Sequence, residues 1–380
     1  MKILVTGAFG NVGLSTLDQL LKRNHEVRII EIKSKKNKKL AKKYKSKIEI
    51  VWGDLRNSND VEKAIDGQDI VIHLAAIIPP LADYNPELAE AVNVGGTINV
   101  LNMIKKQKKM PKLIFTSSIA VYGDRRLNPL IKVSDPLNPS RGDFYALTKI
   151  SAEKAIKESG IEFLILRLTY ITSVDKLDMD PLMFHMPLDT CIEICDTKDV
   201  GLALANAVNS NKVWGETMHI AGGEQCRTNY KDYINTMMEI FGLGEQLLPE
   251  QAFAKKDFHC GYMDTERSQK IFDYQYHTLN DYYNEVREKV GTKKPFFKIF
   301  KRTIKYHLLK RSEPYLRFKF FKRKLGSFTV SENRLIRKIL SHNYQKLENL
   351  EIKIDQLEKT IQGLIRNRKH REITPEIEVK

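Results

Sequence analysis

Three residues in the middle of the chain have the types and spacing needed to remove a proton from a substrate hydroxyl group. Tyr145 and Lys149 lie four positions apart in the segment FYALTK, on one face of a predicted helix. A free tyrosine phenol has a pKa of about 10, and a neighbouring ammonium group lowers it by stabilising the phenolate. Ser118, in the segment TSSIAVYG, can hydrogen-bond the same substrate oxygen. We therefore predict Tyr145 as general base, although a Tyr–Lys pair alone is more often an ordinary surface feature.

A glycine-rich turn at the start of the chain has the spacing of a phosphate-binding loop. Residues 3–5 predict a buried strand that runs into TGAFGNVG, and a helix is predicted over residues 11–22. Glycines three apart suit a tight turn, close approach of a pyrophosphate and close helix–strand packing, and the helix N-terminus attracts the phosphates. The predicted dinucleotide-binding residues of this segment are Gly7, Phe9, Gly10, Asn11, Val12 and Gly13.

An acidic residue at the end of the second predicted strand indicates which dinucleotide is bound. Glu31 ends the segment EVRIIE, 18 residues after Gly13. A carboxylate at this place suits the ribose hydroxyls of NAD and repels the extra phosphate of NADP. Lysines 33, 35 and 36 lie close enough to leave NADP open. The predicted cofactor is therefore NAD.

The elements that position these residues alternate between strands and helices. Strands are predicted over residues 26–31, 69–73, 112–117 and 162–167 and in the segment IEIVWGD, and helices from residue 58 and over residues 86–106 and 143–159. Such alternation predicts an α/β fold with a parallel sheet and right-handed crossovers. Ser118 then lies at the carboxyl edge of the sheet, where ligands bind in such folds.

Residues 1–290 resemble the extended short-chain dehydrogenases/reductases of the NAD-dependent epimerase/dehydratase type. The matching motifs are TGxxGxxG at 6–13, Glu31, GDLRN at 53–57, HLAA at 73–76, NVGGT at 93–97, SSIAVYG at 117–123 and YxxxK at 145–149. The resemblance implies a Rossmann-type, doubly wound parallel sheet. It also implies a small C-terminal substrate subdomain, contributed mainly by residues 170–195 and 222–290.

The resemblance also implies roles for single residues. Ser118, Tyr145 and Lys149 correspond to the catalytic residues of the family, and Tyr145 and Lys149 also contact the cofactor. Asp54 and Leu55 would hold the adenine. The remaining cofactor-binding residues implied are Leu74, Ala75 and Ala76, which line the dinucleotide, and Thr169, which flanks the nicotinamide.

Two departures from the family pattern bear on the substrate. Ile119 and Ala120 stand where the sugar-nucleotide dehydratases of the family carry an Asp–Glu pair, so dehydration is not expected. Only about 30 residues separate Arg167 from Asp199, which is short for a nucleotide-binding insertion. Further candidates for the substrate pocket, each with a structural or surface role as the alternative, are His185, Arg227, His259 and Tyr262.

Three functions are compatible with these residues. The favoured one is an NAD-dependent epimerase or oxidoreductase acting on a hydroxyl or keto carbon of a sugar, most simply a nucleotide sugar. The first alternative is an NAD(P)-dependent alcohol dehydrogenase or ketone reductase with a non-sugar substrate. The second alternative is an inactive dinucleotide-binding scaffold, which the presence of all three catalytic residues disfavours.

The composition bears on where the protein is located and on whether it has disulfides or a metal site. No apolar run approaches the roughly 18 residues needed to cross a bilayer. The first strand begins near residue 2, so an export signal is not expected. The four cysteines form no CxxC pair and no His–Cys cluster with zinc spacing. We therefore expect a cytoplasmic protein with reduced thiols and no metal site.

The net charge of +16 is concentrated in an appended segment. Residues 293–325 contain 13 Lys/Arg and a single acid, Glu313, which leaves about +1 for residues 1–292. Phe297, Phe300, Ile304 and Leu308 recur at helical spacing between basic residues, and Pro314 predicts a helix break. This pattern favours peripheral binding to an anionic membrane surface. Packing on the chain's own domain and, less favoured, nucleic-acid binding are the alternatives. A chain ending near Gly291 is expected to keep its fold.

A heptad repeat follows over residues 332–367. Leu340, Leu347, Ile354 and Ile361 occupy a positions, and leucines 350, 357 and 364 occupy d positions. Isoleucine at a with leucine at d favours a parallel two-stranded coiled coil, hence a homodimer. A helix docked on the protein's own surface is the alternative, and residues 368–380 are expected to be frayed.

Overall fold

A seven-stranded parallel sheet forms the centre of the molecule, as predicted. The computed structural model describes residues 1–175, 177, 179–255 and 258–326, with side chains to residue 320. The described strands are β1 Lys2–Thr6, β2 Glu26–Glu31, β3 Glu49–Trp52, β4 Ile70–His73, β5 Lys112–Ser118, β6 Leu130–Ile131, β7 Phe163–Leu168, β8 Tyr170–Thr172, β9 Cys191–Asp196, β10 Glu216–Ile220, β11 Arg227–Asn229 and β12 Tyr262–Met263.

Helices cover both faces of this sheet and extend beyond it towards the C-terminus. They are α1 Asn11–Lys22, α2 Lys35–Tyr44, α3 Ser58–Ile65, α4 Leu81–Tyr84, α5 Pro86–Ala89, α6 Gly96–Lys105, α7 Phe144–Lys157, α8 Thr197–Val208, α9 Tyr230–Ile240, α10 Glu266–Phe272, α11 Leu279–Val290, α12 Lys294–Ile299, α13 Lys301–Arg311 and α14 Glu313–Gly326. The boundaries of α1 and β2 agree with the predicted ones.

The strand order of the central sheet places a crevice beside β1. The order is β10-β7-β5-β4-β1-β2-β3, so the direction of winding reverses between β1 and β4. Apolar residues on both faces of these strands are buried, because α1 and α8 cover one face and α3, α6 and α7 cover the other. In doubly wound sheets, ligands bind outside the carboxyl ends of the strands at this reversal.

A second, smaller group of elements faces the crevice. Strands β8, β9 and β11 form a three-stranded sheet, and β6 pairs with β12. Their core combines side chains from α9 and α11 with the segments around them, including Tyr230, Tyr233 and Tyr282. Glu193 is fully buried in β9 and pairs with Arg227 of β11 at 3.1 Å. This ion pair ties two strands of the smaller sheet together.

The long helix predicted over residues 86–106 is interrupted. A π-helical turn, Glu90–Gly95, separates α5 from α6. The turn places Asn93 at a buried position, where its side chain accepts a hydrogen bond from the Ile77 N–H and donates to the Thr148 hydroxyl. A π-helical turn holds one residue more than an α-helical turn. The regular helical pattern of the sequence does not reveal it, because the contacts of Asn93 join it to residues far away in the sequence.

The first part of the basic segment is integrated into the main compact unit, which spans Met1–Tyr315. Leu308 and Leu309 of α13 are buried in the core that contains Tyr230, and Phe297 and Ile304 pack against it. The unit thus extends past the predicted boundary near residue 290. The predicted helix break is present, since α13 ends at Arg311 and α14 begins at Glu313.

The second unit spans Leu316–Lys380, and within it the structure describes only residues 316–326, which form most of α14. The coiled coil predicted at 332–367 and the frayed end predicted at 368–380 lie outside the described residues. None of the described helices is both long and apolar enough to cross a bilayer.

Candidate active site

A large cavity opens at the carboxyl ends of β1, β4 and β5. Its volume is about 930 Å³, and its wall continues from the glycine turn after β1 to the tyrosines of α9 and α11. Every predicted catalytic and cofactor-binding residue lines it: Gly7, Phe9, Gly10, Asn11, Val12, Gly13, Glu31, Asp54, Leu55, Leu74, Ala75, Ala76, Ser118, Tyr145, Lys149 and Thr169. The sheet brings these separate sequence segments together because parallel strands end at one edge.

The glycine turn is closed tightly by backbone contacts. Gly7 has φ +68°, and a Cβ atom built on it would lie 2.7 Å from the Ala75 Cα. A Cβ atom on Gly13 would lie 2.4 Å from the Gly7 carbonyl oxygen. Side chains at these two positions would fill the turn or force its backbone apart. The turn therefore leaves a cradle of backbone N–H groups at the N-terminus of α1, which suits a pyrophosphate.

Glu31 connects this turn to the second strand. Its Oε1 accepts a hydrogen bond from the Phe9 N–H at 2.8 Å, and its Oε2 accepts one from the Asn37 side chain at 3.0 Å. Burial raises the pKa of Glu31, and the Phe9 hydrogen bond opposes that rise. The carboxylate is thus fixed at the end of β2, facing the cavity, where ribose hydroxyls of a bound dinucleotide would lie.

Asp54 and Thr169 mark the two ends of the predicted dinucleotide path. The guanidinium of Arg56 binds the Asp54 carboxylate at 2.6 Å, and this interaction holds the pKa of Asp54 below its ordinary value. Thr169 is buried after β7 and donates its hydroxyl to the Glu193 carbonyl oxygen at 2.6 Å. Both side chains thus already have partners within the protein.

The three chemistry-bearing residues meet in the middle of the cavity. Ser118 ends β5 and accepts a hydrogen bond from the Ala120 N–H, which fixes its hydroxyl at the sheet edge. Tyr145 and Lys149 project from α7, and the Lys149 Nζ donates to the Thr116 carbonyl oxygen at 2.8 Å. The Nζ also lies 5.7 Å from the centre of the Tyr145 ring. The arrangement brings a hydroxyl, a phenol and an amine to one reaction centre.

The electrostatics of this centre differ from the sequence-based expectation. Burial raises the pKa of Tyr145, and the hydrogen bond with Ser118 opposes that rise. Burial also lowers the pKa of Lys149 to about 7. Desolvation therefore exceeds the predicted lowering of the tyrosine pKa by Lys149, because both side chains are enclosed by protein.

The N-terminus of α7 is fixed by an acidic residue. Asp143 Oδ1 accepts a hydrogen bond from the Ala146 N–H at 2.8 Å, and its Oδ2 lies 2.5 Å from the His259 Nδ1. Burial raises the pKa of the neighbouring Asp83, and the charge of Asp143 adds to that rise. Asp143 thus holds the first turn of the helix that carries Tyr145. His259, predicted as a substrate contact, does not line the cavity and instead pairs with Asp143.

The substrate side of the cavity is mainly apolar and aromatic. Its described lining contains Leu177, Met179, Leu182, Met183, Met186, Tyr170, Tyr230, Tyr233, Ile234, Met237, Met238, Phe241, Phe258 and Tyr282. Among the described lining residues, the only Lys and Arg side chains are Lys36, Arg56 and Lys149. The first two lie near the glycine turn and β3. His185, Arg227 and Tyr262, predicted as candidates, do not line the cavity.

Two residues that position the site escaped the sequence-based prediction. Asn93 connects the loop after β4 to α7, through Ile77 and Thr148. Asn37 holds the second oxygen of Glu31. Asn93 lies in the NVGGT motif, which was a usable signal, whereas Asn37 lies in a lysine-rich helix that gave none.

The fold and site order agree with a known family model. The model described as the 3-beta hydroxysteroid dehydrogenase/isomerase family matches residues 4–164, which include the glycine turn, Ser118, Tyr145 and Lys149. Residues 4–164 of this chain are therefore similar to that family. The resemblance predicted from the sequence motifs is confirmed over these residues.

Proteins with similar sequences include sugar-nucleotide epimerases. The chain is 36% identical over 177 residues to a putative UDP-glucose 4-epimerase of Methanocaldococcus jannaschii, covering 44% of this chain and 55% of that protein. It is 31% identical over 201 residues to a UDP-glucose 4-epimerase of Pisum sativum, covering 47% and 56%. The chain thus spans about half the length of the curated relatives it matches.

A solved structure shows the same fold over most of this chain. It is a UDP-glucuronic acid 4-epimerase mutant of Bacillus cereus, in complex with UDP-4-deoxy-4-fluoro-glucuronic acid and NAD. The TM-score is 0.64 at 22% identity, and the match covers 76% of this chain and 99% of that one.

The cavity has the features that a dinucleotide needs. The cradle that a Cβ atom on Gly7 or Gly13 would fill, the carboxylate of Glu31 and the amine of Lys149 all line it. Among the described residues, no three His, Cys, Asp or Glu side chains are grouped as a metal site.

Proposed function

We propose that this protein is an NAD-dependent oxidoreductase or epimerase acting at a hydroxyl or keto carbon of a nucleotide sugar. The observation that carries the proposal is the meeting of Ser118, Tyr145 and Lys149 in the cavity that begins at the glycine turn. The sugar-nucleotide relatives support the choice of substrate.

The residues would divide the work as follows. Backbone N–H groups at the start of α1 would hold the pyrophosphate of NAD, and Glu31 would accept hydrogen bonds from its ribose. When bound, NAD supplies a hydride acceptor at its nicotinamide ring. Tyr145 would exchange a proton with the substrate oxygen, which Ser118 holds by a hydrogen bond. Lys149 would contact the cofactor ribose and favour the phenolate by its charge.

The buried replacements after Ser118 argue for simple redox chemistry. Ile119 and Ala120 are nearly or fully buried, and neither can donate or accept a side-chain proton. A dehydratase needs an acid and a base at the substrate, so we propose that no elimination step follows the oxidation. In an epimerase, the keto intermediate would turn within the cavity and be reduced on its other face.

The lining of the substrate side supports a second candidate, an alcohol dehydrogenase or ketone reductase with a non-sugar substrate. A nucleoside diphosphate carries two phosphate groups that proteins usually bind with Arg or Lys side chains. The described substrate side offers tyrosines, methionines and Phe241 in their place. Such a surface suits an apolar or aromatic ligand better than a diphosphate.

Cofactor turnover distinguishes the two candidates. The purified protein would be denatured gently, and the released cofactor and any nucleotide sugar identified by mass spectrometry. An epimerase converts UDP-sugars while the NADH absorbance stays constant, whereas a reductase consumes added NADH in proportion to product. Tyr145→Phe is expected to lower either activity by about 100-fold or more, since the phenol is the proton-transfer group. Unchanged turnover of that variant, with NAD binding retained, would contradict the assignment.

The partners beyond the substrate stay predictions. We propose a homodimer formed by a parallel coiled coil of residues 332–367, supported by the unbroken heptad of the sequence. Sedimentation velocity of the full chain, compared with a chain truncated after residue 331, tests it. A monomeric full chain at micromolar concentration would overturn the dimer. A cytoplasmic location follows from the sequence in the same way and is likewise a prediction.

A further inference from the structure

The short helix α12 presents a cluster of large apolar side chains to solvent. Phe296, Ile299 and Phe300 are 59%, 76% and 43% exposed, and the rings of the two phenylalanines lie 4.5 Å apart between centroids. Around them stand exposed basic residues. We call this group the α12 surface, and its members are Lys293, Lys294, Phe296, Lys298, Ile299, Phe300, Lys301 and Arg302.

The opposite side of the same segment is anchored in the protein. The Phe297 ring packs edge-on against the ring of Phe241, with centroids 5.4 Å apart. In the next helix, Leu308 and Leu309 are buried and Ile304 is half-buried against the same core. The sequence placed Phe297, Phe300 and Leu308 on one apolar stripe. The structure separates Phe300 from the other two, because the helix is interrupted at Phe300 between α12 and α13.

We propose that the α12 surface binds the surface of an anionic lipid bilayer. Phe296, Ile299 and Phe300 would enter the boundary between headgroups and acyl chains, while the surrounding lysines face lipid phosphates. Because Phe297 anchors α12 to the protein core, Phe296, Ile299 and Phe300 stay outside it. Insertion of these three side chains would therefore need no refolding. The basic and apolar groups lie side by side along α12 and in the residues next to its two ends, as such a boundary requires.

The positive charge of the segment favours an anionic bilayer over a second copy of the chain or its own C-terminal residues as the binding partner. Residues 291–311 contain eight Lys/Arg and no Asp or Glu. A second copy would present the same positive surface and be repelled. The C-terminal residues 327–380 contain eleven Lys/Arg against eight Asp/Glu, a net charge of +3, so they are not complementary either. An anionic partner is required.

The arrangement of the rings favours lipid over nucleic acid. Single-stranded nucleic acids bind in basic grooves, where aromatic rings are displayed so that bases stack on them. Here the Phe296 and Phe300 rings pack against each other, tilted by 45°, beside a protruding aliphatic residue, Ile299. An aliphatic side chain gains free energy from an acyl environment and offers no stacking surface to a base.

The experiment is co-sedimentation of the full chain with phosphatidylcholine vesicles, with and without phosphatidylglycerol. One variant carries Phe296→Ser, Ile299→Ser and Phe300→Ser, and its matched control carries the exposed apolar substitutions Met110→Ser and Leu127→Ser. A second variant carries Lys293→Gln, Lys294→Gln and Lys298→Gln. Its matched control carries three substitutions on exposed lysines of α2, Lys38→Gln, Lys39→Gln and Lys42→Gln.

The full chain is expected to bind the phosphatidylglycerol vesicles and to stay in solution with phosphatidylcholine alone. Both α12 variants should lose binding by about tenfold or more, while both controls bind like the wild type. Equal binding by the α12 variants and the wild type would overturn the proposal. So would a wild type that stays in solution, or α12 variants that lose single-stranded DNA binding or self-association but not vesicle binding. None of these readouts depends on the proposed activity.

Discussion

Lys149 is the residue whose chemistry depends most on its surroundings. It is 3% exposed, its amine donates to the Thr116 carbonyl oxygen, and burial lowers its pKa from the ordinary value of 10.5 to about 7. With a pKa of about 7, Lys149 is only partly protonated at neutral pH, which weakens its electrostatic support of a phenolate. The negative phosphates of a bound dinucleotide would favour the ammonium form again. Under the proposed function, cofactor binding and proton transfer would thus be coupled through this amine.

The lowered pKa makes a prediction about stability and pH. Between about pH 7 and 10, the unfolded chain carries a proton on Lys149 that the folded chain lacks, so stability rises with pH through this group. Lowering the pH from about 9 to about 7 should therefore destabilise the wild type by about 2 kcal/mol more than Lys149→Met. Urea unfolding at the two pH values, followed by tryptophan fluorescence, measures the difference. A pH-independent gap between the two proteins would refute it.

The glycine turn makes a second prediction at the residue scale. A Cβ atom on Gly13 would lie 2.4 Å from the Gly7 carbonyl oxygen, so Gly13→Ala should cost about 1–3 kcal/mol and abolish NAD binding. Gly95→Ala is the matched control, because its nearest neighbour, the Glu90 carbonyl oxygen, is 3.9 Å away. Calorimetric titration with NAD reports the loss. Wild-type affinity in Gly13→Ala would show that the turn does not contact the cofactor.

At the scale of elements, α7 sets the geometry of the reaction centre. Its first turn is capped by Asp143, and Asn93 of the π-helical turn binds the hydroxyl of Thr148 within it. The sequence predicted α7 and its reactive residues, because their spacing is local. It did not predict the π-helical turn, because the hydrogen bond that the turn allows joins Asn93 and Thr148, which are 55 positions apart.

The effect of the N-terminal cap of α7 on turnover can be compared with that of the cap of α8. Asp143→Ala removes the cap of α7, and Asp196→Ala removes the cap of α8, where Asp196 accepts from the Lys198 N–H. Each substitution should cost about 1 kcal/mol of stability. Only Asp143→Ala is expected to lower turnover, by about tenfold or more, because it loosens the helix that carries Tyr145.

A conservative substitution separates the cap from the pairing with His259. Asp143→Asn keeps an oxygen for the Ala146 N–H and should recover most of the turnover if the cap is what positions Tyr145. Equal losses of turnover in the Asp143 and Asp196 alanine variants would show that the effect is general destabilisation.

At the scale of the whole molecule, the compact unit includes more of the basic segment than the sequence indicated. Leu308 and Leu309 fill the core formed by α9 and α11, next to the aromatic wall of the cavity. The sequence favoured a membrane-binding segment, with packing on the domain as an alternative. The structure assigns the inner side of the segment to packing and leaves Phe296, Ile299 and Phe300 exposed at α12.

This division predicts where the chain can be shortened. Leu308→Ala should lower the free energy of unfolding by about 2–4 kcal/mol, whereas Ile299→Ala, at a 76% exposed position, should change it by less than about 0.5 kcal/mol. A chain ending at Tyr315 should unfold like the full chain, and one ending near Gly291 should be less stable. Both tryptophans, Trp52 and Trp214, lie in this unit and report its unfolding. Equal stability of the two shortened chains would show that the compact unit ends near residue 290, as the sequence predicted.

The sequence by itself determined the parallel sheet, the resemblance to the short-chain dehydrogenases/reductases and the set of candidate residues that line the cavity. Those features depend on local spacing and periodicity, as in the three glycines, Glu31 after β2 and the pair Tyr145–Lys149. The tertiary structure decided the pKa directions at the reaction centre, the apolar substrate side and the exposed face of α12. These depend on burial, and burial is set by contacts between distant segments that no local pattern of the chain records.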